Sequence, residues 1–334
     1  MHEPLLKVEG LSKFFPIRKG IFSRVSGHVN AVNQVSFSLE SQKTLGLVGE
    51  SGCGKTTVGR TILGLLKPDG GKVHFNGQKL FDFESGQKMS DAAFNKIRRD
   101  MQVVFQDPYA CLDPRFTVLQ VLTEGMRKHL SHNKAERYDL AKGLLEKTGL
   151  GEESLMKYPH QFSGGQRQRI GIARALSLSP KLIICDEPTA ALDVSIQSQI
   201  LNLMLNLKKE FKLSYLFISH NLSIVEHFCD DVCVMYLGRI VEKGRTRAVF
   251  DNPLHPYSAA LLAAVPVFEG RTIKERQRLA GEIPSPSNLP GGCHFHPRCA
   301  HCLEICRQQM PDLIEFSAGH YAACHRALEF LEEN

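Results

Sequence analysis

Apolar and polar residues alternate over Leu5–Glu9 and Val29–Leu39, the period-two pattern of half-buried strands. The stretch Pro16–Gly27 between them, with Gly, Arg and Lys, reads as a loop. Lys43–Val48 is a short apolar run stopped by glycines, as a buried parallel strand is, and Lys55–Leu66 behind it has helical spacing. Lys181–Cys185 and Ser214–Ile218 repeat the buried-strand pattern. Between these two, Ile196, Ile200, Leu203, Met204, Leu207 and Phe211 recur at helical intervals over Ser195–Phe211. Strand, helix, strand, helix predicts an α/β fold with a parallel sheet. From about Val118 to Ser179 no strand pattern occurs, and Gln120–Leu130 and Lys134–Gly149 read as helices, which predicts an all-helical insertion. After about Gly244 periodicity fades into a tail punctuated by Pro253, Pro256, Pro266, Pro284, Pro286, Pro290 and Pro297.

Composition changes this picture little. Of 334 residues, 43% are hydrophobic and 23% charged, ordinary for a globular chain, so a sizeable core is expected. The net charge of +6 is carried by no long basic run, which favours a solvated surface over a nucleic-acid footprint. No stretch of 18 apolar residues suggests a bilayer span, and Met1–Gly10 lacks the apolar core of a signal peptide. The protein is therefore expected to stay where it is made or to reach a membrane through a partner. Ten cysteines are present, and five of them, Cys293, Cys299, Cys302, Cys306 and Cys324, fall near the end of the chain. In a reducing compartment such crowding points to metal rather than disulfides.

Two motifs carry phosphate chemistry. Gly49-Glu-Ser51-Gly52-Cys53-Gly54-Lys55-Thr56-Thr57 fits G-x-x-x-x-G-K-[ST] between a buried strand and a helix. Its glycines allow backbone N–H groups to turn toward phosphates, and the helix N-terminus adds partial positive charge. Lys55 is expected to reach the β- and γ-phosphates and Thr56 to ligate Mg²⁺. Leu182-Ile-Ile-Cys-Asp186-Glu187 is an apolar strand ending in two carboxylates. Asp186 is expected beside Mg²⁺, and Glu187 is placed to act as general base on the attacking water.

A third motif narrows the class. Phe162-Ser163-Gly164-Gly165-Gln166-Arg-Gln-Arg169, opening a helix read as Gln166–Leu178, resembles the signature of ATP-binding-cassette (ABC) ATPases. It forms a second anion site in one chain, and a head-to-tail dimer lets each signature cap the other subunit's ATP. The remaining marks of that family follow in order. Gln106, after the strand Met101–Phe105, resembles the Q-loop glutamine, with Mg²⁺ or water contact and sensing of a membrane partner as its implied roles. Ala191-Leu192-Asp193 resembles the D-loop, His220 the switch histidine at the γ-phosphate, and Phe15 the aromatic that stacks on adenine. Residues 5–244 thus resemble an ABC nucleotide-binding domain throughout.

A closer resemblance is to the F-type ATPase subunit of dipeptide/oligopeptide permeases. It rests on Val104-Phe-Gln-Asp-Pro-Tyr-Ala-Cys-Leu-Asp-Pro-Arg115, Tyr158-Pro-His-Gln-Phe162 running into the signature, Asn252-Pro-Leu-His-Pro-Tyr257, and Gly292-Cys-His-Phe-His-Pro-Arg-Cys299. Departures are Phe15 for the common Tyr, Phe162 for Leu and Ala190 for Ser. The resemblance implies an α/β P-loop core with an antiparallel N-terminal β-subdomain, a helical subdomain over about 118–179, and a tail over 245–334 after a cassette spanning 1–244. It implies ATP and Mg²⁺ as ligands, a paralogous ATPase partner, two transmembrane permease subunits, an extracytoplasmic substrate-binding protein, no nucleic acid, and a peripheral place on the cytoplasmic face of the cytoplasmic membrane. The implied activity is ATP-driven peptide uptake; the alternative is a soluble ABC ATPase acting on nucleic acid or ribosomes. For Cys293, Cys299, Cys306 and Cys324, spacing alone favours zinc, whereas the resemblance implies a [4Fe–4S] cluster. Cys302 is extra to that pattern.

Overall fold

The computed structural model describes residues 3–20, 23–107, 109, 111–264 and 281–332. Pro108 and Ala110 of the motif after Gln106, and Pro266 of the tail, lie outside the described residues. In chain order the elements are β1 (Leu6–Lys19), β2 (Arg24–Leu39), β3 (Thr44–Val48), α1 (Lys55–Ile62), β4 (Gly70–Phe75), β5 (Gln78–Asp82), β6 (Gln87–Lys88), α2 (Asp91–Asp100), β7 (Met101–Val104), α3 (Val118–His129), α4 (Lys134–Lys147) and α5 (Gly164–Leu176). There follow β8 (Leu182–Asp186), α6 (Val194–Phe211), β9 (Ser214–Ser219), α7 (Leu222–Phe228), β10 (Asp231–Tyr236), β11 (Arg239–Arg245), α8 (Thr246–Asp251), α9 (Pro256–Ala263), α10 (Glu304–Gln308), β12 (Ile314–Ser317), β13 (His320–Ala322) and α11 (Ala327–Glu332).

These elements group into two compact units. One holds residues 1–39, 44–88 and 218–334, the other 40–43 and 89–217. In the first unit an antiparallel sheet runs in the order β2-β1-β4-β5-β6, the N-terminal β-subdomain that the family resemblance implies. Its inward face is apolar: Leu6, Val8, Leu11, Val32, Val35 and Val73 are fully buried or nearly so. The same unit carries β12-β13-β11-β10-β3, in which β10 pairs parallel with β3 and the other pairs are antiparallel. The second unit carries β9-β8-β7, with β7 and β8 parallel, and the helices α2 to α6. Residues 118–179 hold helices and no strand.

The stretch Pro16–Gly27 departs from its reading as a loop. Pro16, Ile17, Arg18 and Lys19 pair with His28, Gly27, Val25 and Arg24, so β1 and β2 continue into a long hairpin. Polar and charged residues extend these strands because hairpin ends are solvated on both faces and need no alternation. The helix behind the P-loop is also shorter than its apolar pattern. It stops at Ile62, where Gly64 takes φ +66° and the Leu65 and Leu66 amides both return to the Arg60 carbonyl. The helix expected from Gln166 instead begins at Gly164, because Ser163 caps it.

The tail holds more order than its sequence pattern announces. β13 pairs with β11 through Glu242↔Ala322 and Lys243↔Tyr321. The Glu242 side chain is 0% exposed. Its carboxyl accepts hydrogen bonds from the backbone N–H of Leu254 (2.7 Å) and His255 (2.9 Å) and lies 2.8 Å from the His320 Nε2. One side chain thereby ties β11 to the entry of α9 and to β13.

Candidate ATP site

The P-loop follows β3, whose five residues are all buried. Gly49 and Gly54 have φ of +149° and +107°. A Cβ on Gly49 would lie 2.1 Å from the Met235 carbonyl oxygen, and one on Gly54 would lie 2.0 Å from that of Ala31. Backbone angle and space both restrict these positions to glycine. Lys55 opens α1 and is buried; its Nζ donates to the carbonyls of Gly49 (2.8 Å) and Glu50 (3.0 Å) and lies 3.8 Å from Cys53 Sγ. Burial pushes the Cys53 thiol up in pKa, with the Lys55 charge opposing, so this cysteine behaves as a small apolar filler. Ser51 and Gly52 are exposed and Thr56 and Thr57 half-buried, leaving the loop face open beside the start of the helix.

In the second unit β8 ends on buried Asp186. Glu187 then turns the chain at φ +48°, a conformation that costs a non-glycine residue about 1–3 kcal/mol. Its carboxylate accepts a hydrogen bond from Gln106 Nε2 at 3.1 Å. Gln106 and Glu187 stand 81 positions apart in the chain, and the fold brings the two together. The Gln106 amide holds the Glu187 carboxylate through this bond.

The signature is built locally. The Ser163 hydroxyl accepts from the Gln166 N–H and the Gln166 side chain accepts from the Ser163 N–H, a reciprocal capping box. Ser163 and Gln166 are exposed. Gly164 and Gly165 form the first turn of α5, and a Cβ on Gly165 would meet Ile196 Cγ2 at 2.6 Å. Arg167 donates to the Pro159 carbonyl at 2.7 Å and lies 3.8 Å over the Tyr109 ring. Asp193 is the exposed N-cap residue of α6.

His220 follows β9 and is exposed, and Phe15 is 36% exposed beside Lys13, whose Nζ is 5.3 Å from the ring centroid.

The cysteines of the tail converge in part. Cys293, Cys299, Cys306 and Cys324 all line one cavity of about 10 Å³, together with His255, His296, His301 and His325. That is room for about one water. All four are free thiols, and Cys302 does not line the cavity. Burial pushes Cys293 up to about 11 and Cys324 up to about 12. The donor set has the chemistry of a metal site, but among the described residues no three His, Cys, Asp or Glu side chains are arranged to hold a metal ion.

Sequence reasoning missed two residues at the P-loop. Tyr257 Oη accepts the Glu50 N–H at 2.9 Å, and Arg298 makes a bidentate ion pair with the Glu50 carboxylate. Both lie in stretches that resemble the permease ATPases, which was the one available signal.

A strand, a glycine cradle and a lysine-headed helix, with a carboxylate-tipped strand and a capped signature helix, define an ATP-binding cassette. Residues 32–190 match the ABC transporter family, and residues 241–306 match the oligopeptide/dipeptide transporter C-terminal region. The chain belongs to the ATP-binding subunits of oligopeptide/dipeptide ABC transporters. It is 50% identical over 325 residues to the oligopeptide transport ATP-binding protein AppF of Bacillus subtilis, covering 97% of each chain. It is 47% identical over 325 residues to the dipeptide transport ATP-binding protein DppF of Escherichia coli, covering 97% of this chain and 95% of that one. Among solved structures, a part of the cbiONQ ABC transporter complex of Clostridium perfringens superposes with TM-score 0.62 at 29% identity, over 75% of this chain and 92% of that one. A dimeric ATP-binding cassette bound to ADP and Pi superposes with TM-score 0.63 at 26% identity, over 72% and 99%.

Proposed function

We propose that this chain hydrolyses ATP at the cytoplasmic face of the cytoplasmic membrane to drive peptide uptake through two transmembrane permease subunits fed by an extracytoplasmic binding protein. The names of the relatives, transporters of oligopeptides and dipeptides, support peptides as cargo and transport over action on nucleic acid. Among the described residues no helix is long and apolar enough to cross a membrane.

The P-loop amides from Gly49 to Thr57 bind the phosphates, with Lys55 on the β- and γ-phosphates. Thr56, Asp186 and Gln106 hold Mg²⁺. Phe15 stacks on adenine, and His220 contacts the γ-phosphate. Glu187 takes the proton of the attacking water. Ser163, Gly164, Gly165 and Gln166 cap the nucleotide of a paralogous partner subunit, and Asp193 lines the same junction. The observation that carries this reading is the strained, amide-oriented Glu187 carboxylate directly after the buried Asp186. In the assembled transporter, Glu187→Gln is expected to keep ATP binding and to slow turnover about 10²–10⁴-fold. Turnover near the wild-type rate removes Glu187 from the role of base.

Cys293, Cys299, Cys306 and Cys324 would hold a [4Fe–4S] cluster as a structural clasp, with Zn²⁺ the alternative. Their convergence on one cavity and the exclusion of Cys302 support the four-ligand set. Ligation needs thiolates, so loading releases protons and favours higher pH. Protein purified without oxygen should contain about four iron atoms per chain and absorb visible light. A colourless preparation with stoichiometric zinc decides for the alternative.

A further inference from the structure

Glu50, the second residue of the P-loop, is held twice by the C-terminal part of the chain. Its carboxylate oxygens accept from Arg298 Nη1 at 2.8 Å and Nη2 at 3.0 Å. The Arg298 side chain is 4% exposed and that of Glu50 22%, so the pair is shielded from solvent. The hydrogen bonds to Glu50 push the guanidinium further up in pKa. The Glu50 backbone N–H donates to the buried Tyr257 hydroxyl. The third polar group, the Glu50 carbonyl, accepts from Lys55 Nζ at 3.0 Å. All polar groups of Glu50 are therefore engaged, two by the tail and one by the lysine expected on the phosphates.

The anchoring residues are themselves fixed. Tyr236, Tyr257 and Phe295 are buried and pack ring against ring, with centroids 4.6 Å apart for Tyr236–Tyr257, 5.3 Å for Tyr236–Phe295 and 5.4 Å for Tyr257–Phe295. Arg298 lies beside two of these rings and 3.5 Å from the Tyr236 hydroxyl. It directly precedes Cys299, and Phe295 borders the cysteine-lined cavity. A planar bidentate fork loses little freedom on binding and specifies direction as well as charge.

We infer that Arg298 is a positioning residue for ATP binding: through Glu50 it holds the P-loop backbone and the Lys55 ammonium in place, and so lets the C-terminal extension set nucleotide affinity. This rests on the reading of Gly49–Thr57 as the ATP site. Arg298 touches no phosphate in this scheme, so its loss should act on binding more than on the chemical step.

The test uses the assembled transporter, with KM for MgATP and kcat measured separately. Arg298→Ala and Glu50→Gln are each expected to raise KM about tenfold with kcat changed less than about twofold. The double variant should be no worse than either single one, because both remove one interaction. Arg298→Lys should recover part of the affinity by keeping charge without the fork. Tyr257→Phe, a smaller change that keeps the ring, should raise KM about two- to fivefold. Additive losses in the double variant overturn the inference, as does a KM within twofold of wild type in Arg298→Ala and Glu50→Gln alike. Lys55→Ala separates the two failures. If it abolishes ATP binding while Arg298 variants leave KM unchanged, the P-loop reading stands and the positioning role falls. If ATP binding survives in Lys55→Ala, the P-loop reading itself is at fault.

Discussion

The chain contains two glycine-bearing loops that each open a helix, and they are held in different ways. The P-loop takes φ of +149°, +80° and +107° at Gly49, Gly52 and Gly54, and is walled by Ala31 and Met235 and clasped by Tyr257 and Arg298. The signature at Ser163–Gln166 needs no positive φ and closes through hydrogen bonds three residues apart. One loop is hydrogen-bonded by residues up to 248 positions away, the other within its own four residues. A loop built on glycines needs support from outside, because glycine loses more conformational freedom on ordering than any other residue. A loop that needs no left-handed backbone can be closed largely by its cap.

The contrast is open to breakage in stability measurements. Gly54→Ala forces a Cβ to 2.0 Å from the Ala31 carbonyl oxygen at an unsuitable φ. A loss of about 3 kcal/mol in denaturant unfolding is expected, along with ATP binding. A smaller effect should follow Ser163→Ala, which removes the cap at a cost of about 1 kcal/mol. In mixed dimers its hydrolysis defect should map to the partner's P-loop; a defect confined to this chain's own site contradicts head-to-tail capping. Smallest of all should be Gly164→Ala, whose Cβ meets only Leu192 at 3.5 Å and which should gain about 0.5 kcal/mol. A cost above 1 kcal/mol there would show that the signature too is held from outside.

The same division explains what the sequence reveals. The signature, the P-loop glycines and Asp186-Glu187 are legible because local spacing carries their chemistry. β3, β8, β9 and the helical stretch are legible because burial writes itself as apolar runs. Long-range pairing leaves no such mark. Nothing in the period of Pro16–Gly27 announces a hairpin, since a ribbon wet on both sides needs no apolar face. The contacts of Glu50 with Tyr257 and Arg298, and of Gln106 with Glu187, depend on topology that no window of residues contains. The cysteines show both limits: their spacing suggests a shared site, and the fold brings four of five to one cavity while leaving Cys302 aside.

Glu242 bears on how such proteins can be taken apart. A chain cut after Gly244, the boundary that sequence similarity alone suggests, would keep this carboxyl group and lose Leu254, His255 and His320, its three partners. An unpartnered charge in that interior costs about 3–5 kcal/mol, a large share of what holds a domain together. The extension is therefore not a detachable accessory that a minimal cassette could shed. Shuffling between relatives, in evolution or at the bench, has to carry β11 and the extension as one inheritable block.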